Sequence, residues 1–200
     1  MEIALEGLGK KFRKDWVFRD LNHQFKNKSS TAIIGNNGSG KSTLLKLIST
    51  FSDPTLGKIN YSKEQPERLI SFAAPYLELI EELTLLEHLK FHFRFKKTTR
   101  SLDEMVQTVG LEGSEKKLIA DFSSGMKQRL KLVLAFSSTD PLVLLDEPCS
   151  NLDESGIEWY QKQLSSIIGE KTIIIASNQR FEYGLCADKL NISSFKSARK

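Results

Sequence analysis

Gly35-Asn36-Asn37-Gly38-Ser39-Gly40-Lys41-Ser42 is the stretch on which the fold turns. It fits the pattern G-x-x-x-x-G-K-[ST] and lies where that pattern acquires meaning, after a short apolar run and before a helical one. Ser30–Ile34 reads as a buried strand, and Leu44, Leu45, Leu47 and Ile48 fall on one face of a helix expected over residues 42–51. Glycines let such a loop fold into a nest of backbone N–H groups around phosphates, and the helix N-terminus adds its positive dipole end. In that arrangement Lys41 reaches the β and γ phosphates of a bound nucleotide. Ser42 offers a hydroxyl to Mg²⁺, and Thr43 continues the binding turn. Gly35, Asn36, Asn37, Gly38, Ser39 and Gly40 supply the cradle, so ATP and Mg²⁺ are the expected ligands.

Outward from this loop the pattern stays regular. Residues 3–25 mix short apolar runs with charges, as antiparallel strands do. Asp53-Pro54 and Gly57 are expected to stop the first helix, and residues 59–61 and 69–73 read as strands. Thr84 with Glu87 three residues on marks a capped helix start; a second helix is expected over Leu102–Val109, ending at Gly110, and a third from Ser123 or Ser124 through Phe136. Residues 142–145 and Thr172–Ala176 are short Val/Ile/Leu-rich runs separated by a helical stretch near 155–168, which implies a parallel sheet with helical crossovers. Residues 75–130 interrupt that alternation with helices alone, an inserted helical subdomain within a single domain spanning 1–200. In the first of its helices, positions 85, 89 and 93 can face a core, leaving Phe91 and Phe95 as a second, adjacent pair.

Pro141-Leu142-Val143-Leu144-Leu145-Asp146-Glu147-Pro148 is an apolar strand that delivers two carboxylates at its C-terminal end, the end where ligands bind in open α/β sheets. Asp146 can hold Mg²⁺, directly or through water, and Glu147 can orient and deprotonate an attacking water.

Phe122-Ser123-Ser124-Gly125-Met126-Lys127-Gln128-Arg129 precedes that strand. Here the chain resembles the ATP-binding-cassette (ABC) ATPases, whose signature runs roughly Leu-Ser-Gly-Gly-Gln. Ser123 and Gly125 match; Phe122, Ser124 and Met126 depart from it. Ser150-Asn151-Leu152-Asp153 resembles the D-loop, so four elements appear in family order along nearly the whole chain. The resemblance implies a P-loop NTPase fold: a RecA-like α/β core, an N-terminal antiparallel β subdomain and the helical insert. It also implies a head-to-tail dimer, in which the P-loop of one copy faces Ser123, Ser124, Gly125 and Asp153 of the second copy. Phe12 falls where the family stacks an aromatic on adenine, with Trp16 as the alternative.

Two family positions are not matched. A Gln that touches Mg²⁺ is expected after residues 69–73, but the chain reads Ala73-Ala74-Pro75-Tyr76-Leu77-Glu78; Tyr76 and Glu78 both remain open as substitutes. A His on the γ-phosphate is expected after Thr172–Ala176, where the chain has Ser177-Asn178-Gln179. The Asn178 amide can donate a hydrogen bond but cannot carry a proton, so slow hydrolysis is expected if proton movement matters there.

Composition narrows the class. The chain has 200 residues, 40% hydrophobic and 27% charged, enough to bury a core without staples. No apolar run approaches the roughly 18–20 residues needed to span a bilayer, and no secretory signal opens the chain. Cys149 and Cys186 are the only cysteines and read as free thiols in a reducing cytosol. The net charge of +4 is spread among acids rather than striped, so no nucleic-acid partner is expected. The basic tail Lys196-Ser197-Ala198-Arg199-Lys200 reads as a solvated terminus. The expected function is the energising ATPase subunit of a transporter, at the inner face of the cell membrane, driving a separate integral membrane permease. Small cytochrome c maturation (haem-linked) and drug or lipid exporters are the most similar types. A non-transport cassette or a slow ATP-gated switch is the competing class.

Overall fold

The computed structural model describes residues 1–195, so the basic tail lies outside the described residues. In chain order it contains β1 (Ile3–Phe12), β2 (Asp15–Phe25), β3 (Ser30–Ile34), α1 (Lys41–Ile48), β4 (Leu56–Tyr61), β5 (Ile70–Ala73), α2 (Leu85–Phe95) and α3 (Leu102–Val109). There follow α4 (Ser124–Ser137), β6 (Leu142–Asp146), α5 (Glu154–Ser165), β7 (Thr172–Ala176), α6 (Arg180–Tyr183) and β8 (Asp188–Asn191).

The strands form two sheets. A three-stranded sheet has the order β2-β1-β4, with β1 antiparallel to both neighbours. The second has five strands in the order β5-β6-β7-β3-β8, all paired in parallel. Its central strands are apolar throughout because both faces are covered. In β6, Leu142 and Leu144 join a core with Phe18, Phe25, Ile33 and Leu45, while Val143 and Leu145 face Phe136 and Tyr160 on the other side. The alternation is the period of two that a pleated strand imposes.

The helical insert is built from local signals. Both α2 and α3 start with complete capping boxes, Thr84 with Glu87 and Ser101 with Glu104, and α3 ends on Gly110 at φ 72. Leu85, Leu89, Met105, Val109 and Phe122 form its own small core. Helix α4 joins insert to sheet: Leu130, Val133 and Leu134 pack on the insert, whereas Leu132, Ala135 and Phe136 pack on the sheet. An ion pair of 2.7 Å between Lys96 and Asp140, with Ser71 also donating to Asp140, fastens the end of α2 to the sheet. Phe91 and Phe95 stack edge to face on the solvent side of α2, away from Leu85 and Leu89.

Two expectations need correction, and two elements carried no sequence signal. Helix α1 ends at Ile48 rather than at residue 51, because Thr50 adopts φ 65 and turns the chain before Asp53-Pro54 is reached. The crossover helix spans Glu154–Ser165 rather than 155–168. Strand β8 and the short α6 carry no periodic apolar signal; only Leu190 of β8 is buried. No helix among the described residues is long and apolar enough to cross a membrane.

Candidate functional site

Beyond Ile34 the chain turns through the glycine loop into α1. Gly40 caps that helix at φ 105, with no side-chain cap bond. A Cβ at Gly40 would lie 2.5 Å from Cγ1 of Val17, so only glycine lets the loop pass under the β1–β2 hairpin. An uncapped helix start offers its first N–H groups to an external acceptor, and the dipole favours an anion there. Lys41 is buried, and its ammonium donates to the carbonyls of Gly35 at 2.9 Å and Asn36 at 3.3 Å, which holds it across the loop. Burial lowers its pKa, opposed by the negative charges of Glu147 and Asp146. Val17, Asn37, Gly38, Gly40, Lys41, Ser42, Thr43 and Glu147 line one cleft.

The strand end opposite the loop carries the carboxylates. Asp146 is 1% exposed, and neither of its oxygens has a partner in good hydrogen-bond geometry. Burial raises its pKa, an effect that the neighbouring Ser42 and Tyr76 hydroxyls only partly offset. A buried carboxylate without closed hydrogen bonds is costly unless a cation compensates it. Among the described residues no group of three or more His, Cys, Asp or Glu side chains could hold a metal. One carboxylate and one hydroxyl suit Mg²⁺, which takes few protein ligands and completes its shell with phosphates and water. Glu147 follows at φ 44, a strained conformation for a glutamate, and its N–H donates to the Ala176 carbonyl at 2.9 Å. Its side chain is exposed and borders both the P-loop cleft and a neighbouring one containing Asn178.

Asn178 reaches the loop directly: its Nδ2 donates to Oδ1 of Asn37. The segment is held from behind by Glu182, a residue that belongs to no sequence motif. Glu182 is 3% exposed; one carboxylate oxygen accepts from the Cys149 N–H at 2.7 Å and the other from the Ser177 hydroxyl. The Tyr160 hydroxyl donates to the Glu182 carbonyl at 2.8 Å. One buried carboxylate thus ties the turn after Glu147 to the turn that presents Asn178. Its only signal in the sequence is a single acid in a polar stretch.

The signature residues lie elsewhere. Ser123 caps α4, its hydroxyl accepting from the Met126 N–H at 3.2 Å, and a Cβ at Gly125 would meet the Asn151 carbonyl at 3.0 Å. Ser123, Ser124, Gly125, Asn151 and Asp153 share one cleft, which has no residue in common with the P-loop clefts. Asp153 caps α5, accepting from the Gly156 N–H at 2.8 Å, with Arg129 at 3.9 Å. Phe12 is 57% exposed at the hairpin tip with the Lys10 ammonium 5.4 Å from its ring centroid; it is not a core residue. Trp16 is half-buried between Lys11 and Arg19.

The family profile described as "ABC transporter" matches residues 18–150, from the strand beside the P-loop to the end of the acidic turn. The chain belongs to the ABC transporter family. It is an ABC ATPase domain. It is 33% identical over 190 residues to the Bacillus subtilis (strain 168) "Uncharacterized ABC transporter ATP-binding protein YybJ", covering 89% of this chain and 86% of that protein. It is 27% identical over 212 residues to the Mesorhizobium japonicum sulfate/thiosulfate import ATP-binding protein CysA, covering 97% of this chain but 61% of that one. This ABC domain therefore spans most of one relative and less than two thirds of the other. Its fold is that of a solved structure described as the dimeric structure of MJ0796, a bacterial ABC transporter cassette. The TM-score is 0.83 at 22% identity, over 96% of this chain and 95% of the other.

Proposed function

We propose that this ABC domain hydrolyses ATP as one half of a head-to-tail pair and energises a separate integral membrane permease from the cytoplasmic face. The observation that carries the reading is the separation of the two clefts. The P-loop cleft and the signature cleft share no lining residue, which supports a reading in which each nucleotide is closed on by two copies. A second copy turned end for end brings each signature onto the other's P-loop.

In this reading the backbone of Gly35, Asn36, Asn37, Gly38, Ser39 and Gly40, with the first turn of α1 through Thr43, binds the phosphates. Lys41 leaves the two loop carbonyls for the β and γ phosphates. Phe12, already exposed at the hairpin tip, stacks on adenine. Ser42 and Asp146 hold Mg²⁺, which when bound neutralises charge on the transferring phosphoryl group. Glu147 borders both clefts and is placed to orient and deprotonate the attacking water. Asn178 donates to the γ-phosphate. From the second copy, Ser123, Ser124 and Gly125 present a helix N-terminus to that phosphate, and Asp153 lies beside them. The permease meets the helical insert at the exposed Phe91–Phe95 pair.

Glu147→Gln tests the pairing. It removes the base but leaves Asp146, and general-base assistance is worth about 10²–10⁴-fold in rate. With saturating Mg-ATP the variant is expected to elute as a dimer in size exclusion and to turn over at a small fraction of the native rate. A monomer in Mg-ATP, or native turnover, would contradict the proposal.

A further inference from the structure

Glu147 has a backbone conformation that nothing local favours. Its φ of 44 lies in the left-handed region, where a glutamate is rarely found, and the next residue is Pro148. A following proline further restricts the backbone of the residue before it. A conformation of this kind persists only where the surroundings over-determine it.

The hydrogen bonds of the turn show what does so. The Glu147 N–H donates to the Ala176 carbonyl at 2.9 Å, and the Glu147 carbonyl accepts from the Ser150 N–H at 3.1 Å. The Cys149 N–H donates to Glu182 at 2.7 Å, and the Cys149 carbonyl accepts from the Leu152 N–H at 3.0 Å. Proline has no N–H, so the one backbone group left between them is the Pro148 carbonyl. It accepts from Nε2 of Gln128 at 2.7 Å.

Gln128 lies in the second turn of α4, the helix that Ser123 caps. Counting by fours, it shares a face with Leu132 and Phe136, which pack on the sheet. It is 2% exposed, so an amide stands in line with apolar side chains at the point where that face meets the turn. A buried amide needs a partner, and a carbonyl can only accept, which fixes the end of the amide that faces Pro148.

We infer that Gln128 is a positioning residue for Glu147: its amide pins the Pro148 carbonyl and so holds the strained turn that places the Glu147 side chain between the P-loop cleft and the Asn178 cleft. The inference rests on the reading of Glu147 as the general base. Without the donor, the buried Pro148 carbonyl loses its partner and the turn is free to relax toward a less strained φ. The carboxylate then swings away from the attacking water, and a misplacement near 1 Å can cost on the order of 10²-fold in rate. Gln128 borders neither the P-loop clefts nor the signature cleft, so nucleotide binding does not require it.

The test is single-turnover ATP hydrolysis by the full-length protein, with nucleotide affinity measured alongside. Gln128→Met keeps most of the side-chain volume and removes the donor. A single-turnover rate constant counts only molecules that hold nucleotide, so a smaller folded fraction does not imitate the effect. Gln128→Met is expected to slow hydrolysis on the order of 10²-fold and to leave nucleotide affinity unchanged. In a Glu147→Gln background the same change is expected to alter the rate less than about twofold, because the group it positions is already gone. Gln128→Asn, whose amide is one methylene shorter, is expected to match the methionine and replaces it should the methionine protein not fold. If Glu147→Gln slows hydrolysis and neither Gln128 variant does, Gln128 has no part in the reaction and the reading of Glu147 survives. If Glu147→Gln turns over at the native rate, that reading fails and the inference falls with it. Equal slowing in both backgrounds, or a parallel loss of nucleotide affinity, also overturns it, because the residue would then be shaping the wider site.

Discussion

Glu182→Ala should loosen both loops that face the nucleotide without touching a residue that meets it. In the native protein the Glu182 carboxylate is the partner of the Cys149 N–H, and it also accepts from Ser177. Alanine leaves the Cys149 N–H buried and unsatisfied. Ser177 retains contacts to the Gln179 backbone at 2.8 and 3.4 Å. A buried donor stripped of its partner costs about 1–3 kcal/mol, and a weakened second contact adds about 1 kcal/mol, giving roughly 2–4 kcal/mol in total. For a chain of 200 residues that is a fall in Tm of roughly 4–16 °C. Glu182→Gln can accept from Cys149 and donate to Ser177, so its cost should stay below about 1 kcal/mol.

Function should follow the same order. Cys149 lies two residues after Glu147, and Ser177 immediately precedes Asn178, so alanine frees both groups to drift. A misplacement near 1 Å can cost on the order of 10²-fold in rate. The assay is urea unfolding paired with steady-state ATPase, at a temperature where every variant is folded. Alanine within about 0.5 kcal/mol of native stability, or alanine turning over as fast as glutamine, would refute the clamp.

The acidity of Glu182 adds a pH signature. Burial chiefly raises its pKa above the ordinary 4.5, partly offset by the Ser177 and Cys149 hydrogen bonds. Its stabilising contribution is therefore fully present below about pH 4.5 and is lost as pH rises through the higher folded value. The stability of Glu182→Gln relative to native should accordingly improve as pH rises through that window, and a flat difference would contradict it.

Lys41→Ala should abolish tight ATP binding and leave the circular dichroism spectrum unchanged, because the ammonium contacts only two loop carbonyls; unchanged nucleotide affinity in a titration would remove Lys41 from the site. Turnover should rank Asn178→His above native above Asn178→Ala. The alanine loses a donor to a charged phosphate, worth roughly 1.5–3 kcal/mol or ten- to a hundredfold, and also the tether to Asn37. Alanine equal to native in steady-state assays would show that Asn178 does not serve the γ-phosphate. Replacing Phe91 and Phe95 with serine should leave soluble ATPase intact, since both rings are exposed, and should abolish co-purification with the permease; retained co-purification would place the docking surface elsewhere.

Much of this protein was legible residue by residue because the deciding interactions are short-ranged. A capping box closes over three residues, so Thr84 with Glu87 announces its helix locally. Ser30–Ile34 and Thr172–Ala176 are strands whose burial on both faces is written as unbroken apolar runs. The glycine loop is readable for the same reason, since its spacing and the adjoining helix start lie within a dozen residues. Asp146 and Glu147 follow from a strand that ends in acids.

Other features depend on which distant segments share a level of the sheet. The register that places Ala73 beside Leu145 sets the turn after β5 next to Asp146, a neighbourhood no local pattern shows. The Glu182 clamp joins residues 33 positions apart, and the Asn37–Asn178 contact joins residues 141 apart. Leu190 carries β8 almost alone, and that strand exists because β3 offers it an edge. The capping boxes and apolar periods are written in the chain itself, since each is a pattern among residues a few positions apart. The glutamate behind both loops belongs to the fold, because a buried polar group is defined by partners that only tertiary packing brings within reach.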